Sequence, residues 1–199
     1  MCYVYGEGNE NHQLRTGFVV HQRMVLSVMR VEFVSDRMSY TVLRGHWCNI
    51  IVLNVHAPSQ EKSDDSVTDY EELQQVLDHF PKYHMKILLG DFNAKLGSED
   101  IFKQTIRNKS LHQDSNDNGV QMVNFATPKN LGIKSTMFPH RNIHKYTWTS
   151  PDGKTHIQID HILINRRWHS AILEVRTFRV ADCDTDHIWW WQKLEKDWW

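Results

Sequence analysis

Lys86-Ile87-Leu88-Leu89-Gly90-Asp91-Phe92-Asn93 is the stretch that decides how this 199-residue chain folds. Ile87 to Leu89 is a short apolar run of the kind that forms a buried strand. It stops at Gly90, and two polar side chains, Asp91 and Asn93, follow one residue apart. On an extended backbone, residues two apart point to the same side. A carboxylate and an amide would then project together from the end of a buried strand, where open α/β sheets place ligands. Taken alone, the same residues also suit an ordinary turn.

Upstream, residues 49–55 form a near-continuous β-branched run that reads as a central strand covered on both faces. His56-Ala57-Pro58-Ser59 ends it. Residues 25–34 and 38–43 alternate well enough to be strands, with Ser35-Asp36-Arg37 as the turn between them. Met1 to Tyr5 could be a strand fragment with nothing before it to pair with. Thr68-Asp69-Tyr70-Glu71 has capping-box spacing. Val67, Tyr70, Leu73, Leu77 and Phe80 line one helical stripe that Pro81 ends. Strand, helix and strand in succession suggest layered α/β.

Downstream, residues 119–129 read as a second helix and 134–138 as strand-like. Residues 146–149 lead into Ser150-Pro151-Asp152-Gly153, a strong turn signal. Residues 157–164 then read as the returning strand of a hairpin, and 172–178 as a further strand.

Composition sets limits. Hydrophobic residues make up 40% and charged residues 24%, as in ordinary globular proteins. Lys plus Arg is 23 against Asp plus Glu 24, so no overall charge draws the chain to a polyanion. Cys2, Cys48 and Cys183 are far apart and lack zinc spacing, which favours reduced thiols and an intracellular location, nuclear or cytoplasmic. His140 and His144 have helical spacing but no accompanying Glu, and Pro139 and Asn142 suit a loop. No apolar stretch approaches the roughly 20 residues a membrane helix needs, so no membrane association is expected. No obligate protein partner is evident. Five of the eight Trp fall in the last eleven residues.

Further polar residues fit a plain fold poorly. Asp160 sits among Ile157, Ile159, Ile162 and Ile164, although strand alternation also allows it to face solvent. Asp186-His187 places a carboxylate beside an imidazole. His56 ends a strand that reads as buried. Such groups are the parts for attack of water on a phosphodiester: a carboxylate for a hard cation, an oriented His as base, and amide or imidazole groups for phosphate oxygens.

Gly90-Asp91-Phe92-Asn93, Tyr146-Thr147-Trp148-Thr149, Gln158-Ile159-Asp160-His161-Ile162 and Thr185-Asp186-His187 resemble, in order and spacing, the endonuclease/exonuclease/phosphatase superfamily. Each motif is weak alone, but the ordered set is specific. Residues 80–83, 135–148 and 167–170 look especially like the endonuclease domains of RTE-type (BovB-like) LINE retrotransposons and their craniofacial development protein 2-like relatives. The resemblance covers roughly residues 4–188.

It implies a DNase I-like, four-layered α/β sandwich of two sheets over residues 1–188, followed by a Trp-rich tail at 189–199. It also implies that the N-terminal β-α-β unit and its metal-binding Glu are missing. The implied function is a phosphodiesterase of the endonuclease type, dependent on Mg²⁺ (or Mn²⁺) and acting on DNA. Asp91, Asn93, Asp160, His187 and His56 are the implied catalytic set, with His187 paired to Asp160. Asp186 and Asp91 are the implied metal ligands. Thr147, Trp148, Asn93, Arg141 and Lys145 are the implied substrate contacts. Lys103, Arg107, Lys109, Arg166 and Arg167 could follow a phosphate backbone. Two other readings remain open: a truncated relict that binds but does not cleave, and a phosphoesterase acting on lipid or inositol phosphates.

Overall fold

The computed structural model describes residues 2–6, 16–58, 63–98, 105–106, 110–178 and 189–194. Two compact units meet in sequence at Gly90 and Asp91. Among the described residues the strands form one six-stranded sheet and three two-stranded ribbons.

The first unit begins with β1 (Cys2–Gly6) and β2 (Gly17–His21), paired antiparallel, Cys2 opposite His21. The opening fragment therefore finds its partner downstream. Next, β3 (Val28–Ser35), β4 (Met38–Leu43) and β5 (Ile50–His56) form an antiparallel meander. Asp36 and Arg37 make the first turn. The strand expected over 25–34 is shortened, because Gln22–Ser27 winds into a 3₁₀ helix. Its start is capped by His21, whose Nδ1 accepts from Arg23 N at 3.3 Å. Leu26 in that turn is 93% exposed, so its apolar character reflects no buried strand face.

Helix α1 (Ser63–His79) starts six residues before the position that a Thr68 cap predicts and ends before Pro81, as predicted. Leu73 and Leu77 of its apolar stripe are buried. Lys86 closes its end: Nζ donates to the carbonyls of Leu77 at 2.7 Å and Phe80 at 2.9 Å. The Leu77 carbonyl also accepts from Phe80 N at 3.4 Å, so backbone and side-chain donors together satisfy the helix end. Strand β6 (Met85–Asp91) follows, with Met85, Ile87 and Leu88 inaccessible to solvent. Burying each side chain of this kind stabilises the fold by about 1.5–3 kcal/mol.

The second unit holds α2 (Asp117–Ala126), then β7 (Leu131–Ile133). The strand expected at 134–138 lies three residues earlier. Asn130 takes a positive φ of 54°, and Lys134–Thr136 turns as 3₁₀ with Thr136 Oγ1 donating to Ile133 O at 2.9 Å. The hairpin of β8 (Trp148–Thr149) and β9 (His156–Ile157) closes on the expected turn, where Gly153 has φ 70°. The return strand does not run on unbroken. It breaks at Gln158 and Ile159 and resumes as β10 (Asp160–Asn165), which pairs antiparallel with β7. Last come β11 (Ile172–Phe178), with the predicted bounds, and β12 (Trp189–Leu194), paired antiparallel to it. The described part of the Trp-rich segment is thus a strand.

Candidate active site

The end of β6 is built around a glycine that no other residue replaces. Gly90 has φ 139°, and a Cβ there would lie 1.9 Å from the Val55 carbonyl oxygen. Phe92 is fully buried and anchors the turn that follows. Asn93 adopts φ 49°, the left-handed region that Asn tolerates better than most residues. Asp91 Oδ1 accepts from Asn93 N at 2.8 Å, closing an Asx turn. The carbonyl of Asn93 accepts from the side-chain amides of Asn116 at 3.1 Å and Asn118 at 3.3 Å. Asn116 caps α2. Its Oδ1 accepts from Gly119 N and Lys95 N, each at 2.8 Å. The turn carrying Asp91 and Asn93 is therefore stapled to a helix N-terminus.

One backbone bond joins this turn to the second motif. Phe92 N donates to Ile159 O at 3.1 Å, so the residue between Asp91 and Asn93 is bonded to the one preceding Asp160. Asp160 is 8% exposed, which decides its orientation: it faces inward. Thr147, fully buried, accepts at Oγ1 from Ile159 N at 2.9 Å and Asp160 N at 3.2 Å. Those two bonds hold the break between β9 and β10.

His161 lies next to Asp160 and is buried. Its Nε2 is 2.7 Å from Ala94 O, and its Nδ1 is 2.8 Å from Ser135 Oγ. A carbonyl only accepts, so Nε2 carries the proton. Burial pushes the imidazole down to about 4, with His112 adding to the effect. The Ala94 carbonyl and the Asp160 charge oppose it. Gln158 N donates to His112 Nε2 at 3.1 Å, and burial together with the Lys95 charge also holds His112 below the usual histidine range.

Asp91, Asn93, Asp160 and Thr147 are thus brought together in the second unit. Trp148 pairs with Ile157 across the β8–β9 ribbon. Beside it Tyr146 stacks on His156, ring centroids 4.5 Å apart and planes within 10°. Arg141 is exposed at the start of a 3₁₀ turn, Asn142–His144. Lys145, expected as a substrate contact, is only 7% exposed. Arg166 donates to Thr105 Oγ1 at 3.1 Å, and Arg167 lies over the Trp168 ring. His56 ends β5 in the first unit, its N donating to Arg37 O at 2.9 Å. Asp186, His187, Lys103, Arg107 and Lys109 lie outside the described residues.

Four residues to which the sequence reading assigns no role complete the arrangement: His161, Ser135, Asn116 and Asn118. Asn116 carried the one usable signal, a helix-capping residue type just before a helical run.

Asp91 offers the hard oxygen donor that Mg²⁺ takes. Among the described residues, however, no group of three His, Cys, Asp or Glu side chains could hold a metal ion. No helix of the described residues is long and apolar enough to cross a membrane.

The chain is 34% identical over 188 residues to craniofacial development protein 2 of Bos taurus, and equally to that of Tragulus javanicus. Each match covers 93% of this chain and 31% or 32% of the relative, so the chain spans about a third of their length. Three solved structures share the fold across 98% of this chain and 79% of their own. One is the 3′ phosphatase NExo from Neisseria bound to a product DNA hairpin (TM-score 0.68, 20% identity). Another is the endonuclease domain of TRAS1, a telomere-specific non-LTR retrotransposon (0.67, 13%). The third is an AP endonuclease from Archaeoglobus fulgidus (0.68, 16%). At these identities the likeness is one of fold, the DNase I-like mixed α/β architecture. The family model of the endonuclease/exonuclease/phosphatase family matches residues 12–187, and the chain belongs to that family.

Proposed function

We infer that the chain is a hydrolytic phosphodiesterase that cuts DNA. The observation that carries this reading is the Phe92–Ile159 backbone bond at 3.1 Å, which ties the Asp91/Asn93 turn to Asp160. Structural neighbours named as a 3′ phosphatase bound to a product DNA hairpin, a retrotransposon endonuclease domain and an AP endonuclease support it.

In this reading Asn93 donates its side-chain amide to a phosphate oxygen, and Asp91 orients the attacking water. His187 takes the proton from that water as its oxygen bonds to phosphorus, with Asp160 holding the imidazole in register; the ester P–O bond breaks and the departing sugar oxygen takes a proton from solvent. Thr147 fixes Asp160 through its backbone. His56 offers a hydrogen bond to the phosphate, and Trp148 and Arg141 contact the substrate. A divalent cation, Mg²⁺ or Mn²⁺, with Asp91 and Asp186 as donors, supplies charge neutralisation at the phosphate when bound.

The test is nicking of supercoiled plasmid by the folded chain in Mg²⁺, beside His187→Ala and Asp160→Asn variants and an EDTA control. Nicking that disappears in both variants and in EDTA is expected. A folded chain that binds duplex without cutting it would make this a binding module. Release of phosphate from an inositol phosphate, with DNA left intact, would point to the small-molecule phosphoesterases.

A further inference from the structure

The side chain that joins the two halves of this arrangement belongs to neither motif's expected set. His161 follows Asp160 on β10, and its ring reaches Ala94, the residue after Asn93. The contact is direct, Nε2 donating to Ala94 O at 2.7 Å, with the partners 67 positions apart in sequence. On the other side Nδ1 meets Ser135 Oγ at 2.8 Å. Ser135 is 5% exposed and is itself held, its carbonyl accepting from Gln158 Nε2 at 3.4 Å. The ring is thus bonded at both nitrogens inside the protein, at 1% exposure.

The backbone around this ring needs such a tie. Asn93 sits at φ 49°, a conformation that costs a non-glycine residue about 1 kcal/mol or more. Strained geometry of this kind persists only where its surroundings over-determine it. The Asn116 and Asn118 amides hold the Asn93 carbonyl from the α2 side. His161 holds the next carbonyl from the β10 side.

We propose that His161 is a positioning residue: by bridging Ala94 and Ser135 it fixes the turn that carries Asn93 relative to the strand that carries Asp160. The proposal rests on the phosphodiesterase reading only for its consequence in catalysis. The ordering of the turn is a separate and directly measurable claim. Burial that keeps the ring neutral is consistent with it, because a neutral ring donates at one nitrogen and accepts at the other.

Two conservative variants separate positioning from packing. In His161→Gln the amide nitrogen reaches the place of Nε2 and keeps the donor to Ala94. In His161→Asn the amide reaches only the place of Nδ1, so that donor is lost. Amide hydrogen exchange at Asn93 and Lys95 is measured in each. Exchange about tenfold faster in His161→Asn is expected, the loss of one buried hydrogen bond, with less than about threefold change in His161→Gln. If cleavage is present, kcat falls as exchange rises while KM stays constant.

Equal exchange in the two variants, or unchanged exchange in His161→Asn, overturns the proposal. Should His161→Asn fail to fold, Ser135→Ala serves in its place. It releases Nδ1 with little change of volume and should speed the same amides by about threefold. No change there also overturns the proposal. If the exchange pattern appears but the native chain cuts no DNA, the phosphodiesterase reading falls and the positioning role stands.

Discussion

Thr147 and Asp160 are linked through a hydroxyl: Thr147 Oγ1 accepts from Asp160 N at 3.2 Å while also accepting from Ile159 N at 2.9 Å. The link occurs where one extended segment leaves the β8–β9 ribbon and enters the large sheet. A strand that changes sheets leaves backbone donors unpaired at the corner, and a buried unpaired donor costs about 1–3 kcal/mol. Thr147→Val keeps the volume and strands both donors. It should lower stability by roughly 2–4 kcal/mol, read from urea unfolding at constant slope. Thr147→Ser keeps the oxygen and should lose about 1 kcal/mol or less. Equal losses in the two variants would mean that the methyl group, not the hydroxyl, holds the corner.

Asn116 has two tasks that a single substitution can divide. Its Oδ1 accepts from Gly119 N and Lys95 N, and its Nδ2 donates to Asn93 O. Asn116→Asp retains the acceptor and adds a charge that favours a helix N-terminus. It loses the donor and sets a carboxylate against the Asn93 carbonyl. Asn116→Ala loses everything and should cost about 2 kcal/mol, a cap plus a loop bond. The Asp variant should keep most of that stability, yet cleave DNA at least about tenfold more slowly, because orientation at a reacting phosphate tolerates little displacement. A calorimetric melt beside a nicking assay tests both halves.

Acid should weaken the fold through His161. Its folded value lies at about 4, against 6.5 for the free ring. Between those values the unfolded chain binds a proton that the native chain refuses, so stability rises with pH across the window. The contribution is fully present above about 6.5 and is lost as pH falls toward 4. The difference of 6.5 − 4 = 2.5 pH units amounts to roughly 3 kcal/mol in all, of which about 2 kcal/mol is gone by pH 5. Nearby Asp160 and His112 also bear on the ring, so the comparison is with His161→Gln at each pH. The native protein should lose about 2 kcal/mol more than this variant between pH 7 and pH 5. Parallel losses would place the acid sensitivity in other groups.

What could be read from the sequence followed periodicity. Residues 38–43 and 172–178 are rich in the apolar and β-branched side chains that favour strands, and both strands have the predicted bounds. Leu73 and Leu77 marked the buried face of α1 because 3.6-residue spacing is a local property. The errors fell where a side chain overrode the backbone pattern. A His21 cap turned residues 22–27 into 3₁₀ helix. The Thr147 hydroxyl broke the run expected at 157–164. At the candidate site, Asp91, Asn93 and Asp160 were visible as polar residues misplaced at strand ends or inside apolar runs. Ser135, Asn116 and Asn118 were not, because each acts through a partner 20 or more residues away. Nothing in their immediate neighbours announces such a partner.

Asn93 allows stability and function to be pulled apart. Its φ of 49° is a conformation glycine adopts without strain, so Asn93→Gly gains backbone ease where it loses a side chain. Stability should stay within about 1 kcal/mol of native, because the Asx bond to Asp91 and both amide bonds from Asn116 and Asn118 use the backbone of residue 93. Asn93→Ala keeps the strain and gains nothing, and should be less stable than the glycine variant by about 1 kcal/mol. If the side-chain amide meets a phosphate oxygen as proposed, both variants should cleave DNA about 10²–10³-fold more slowly, the usual loss for one preorganised donor. The glycine variant is the informative one, since its fold is intact. Native cleavage rates in Asn93→Gly would remove Asn93 from the reaction and leave it as the residue that lets β6 turn.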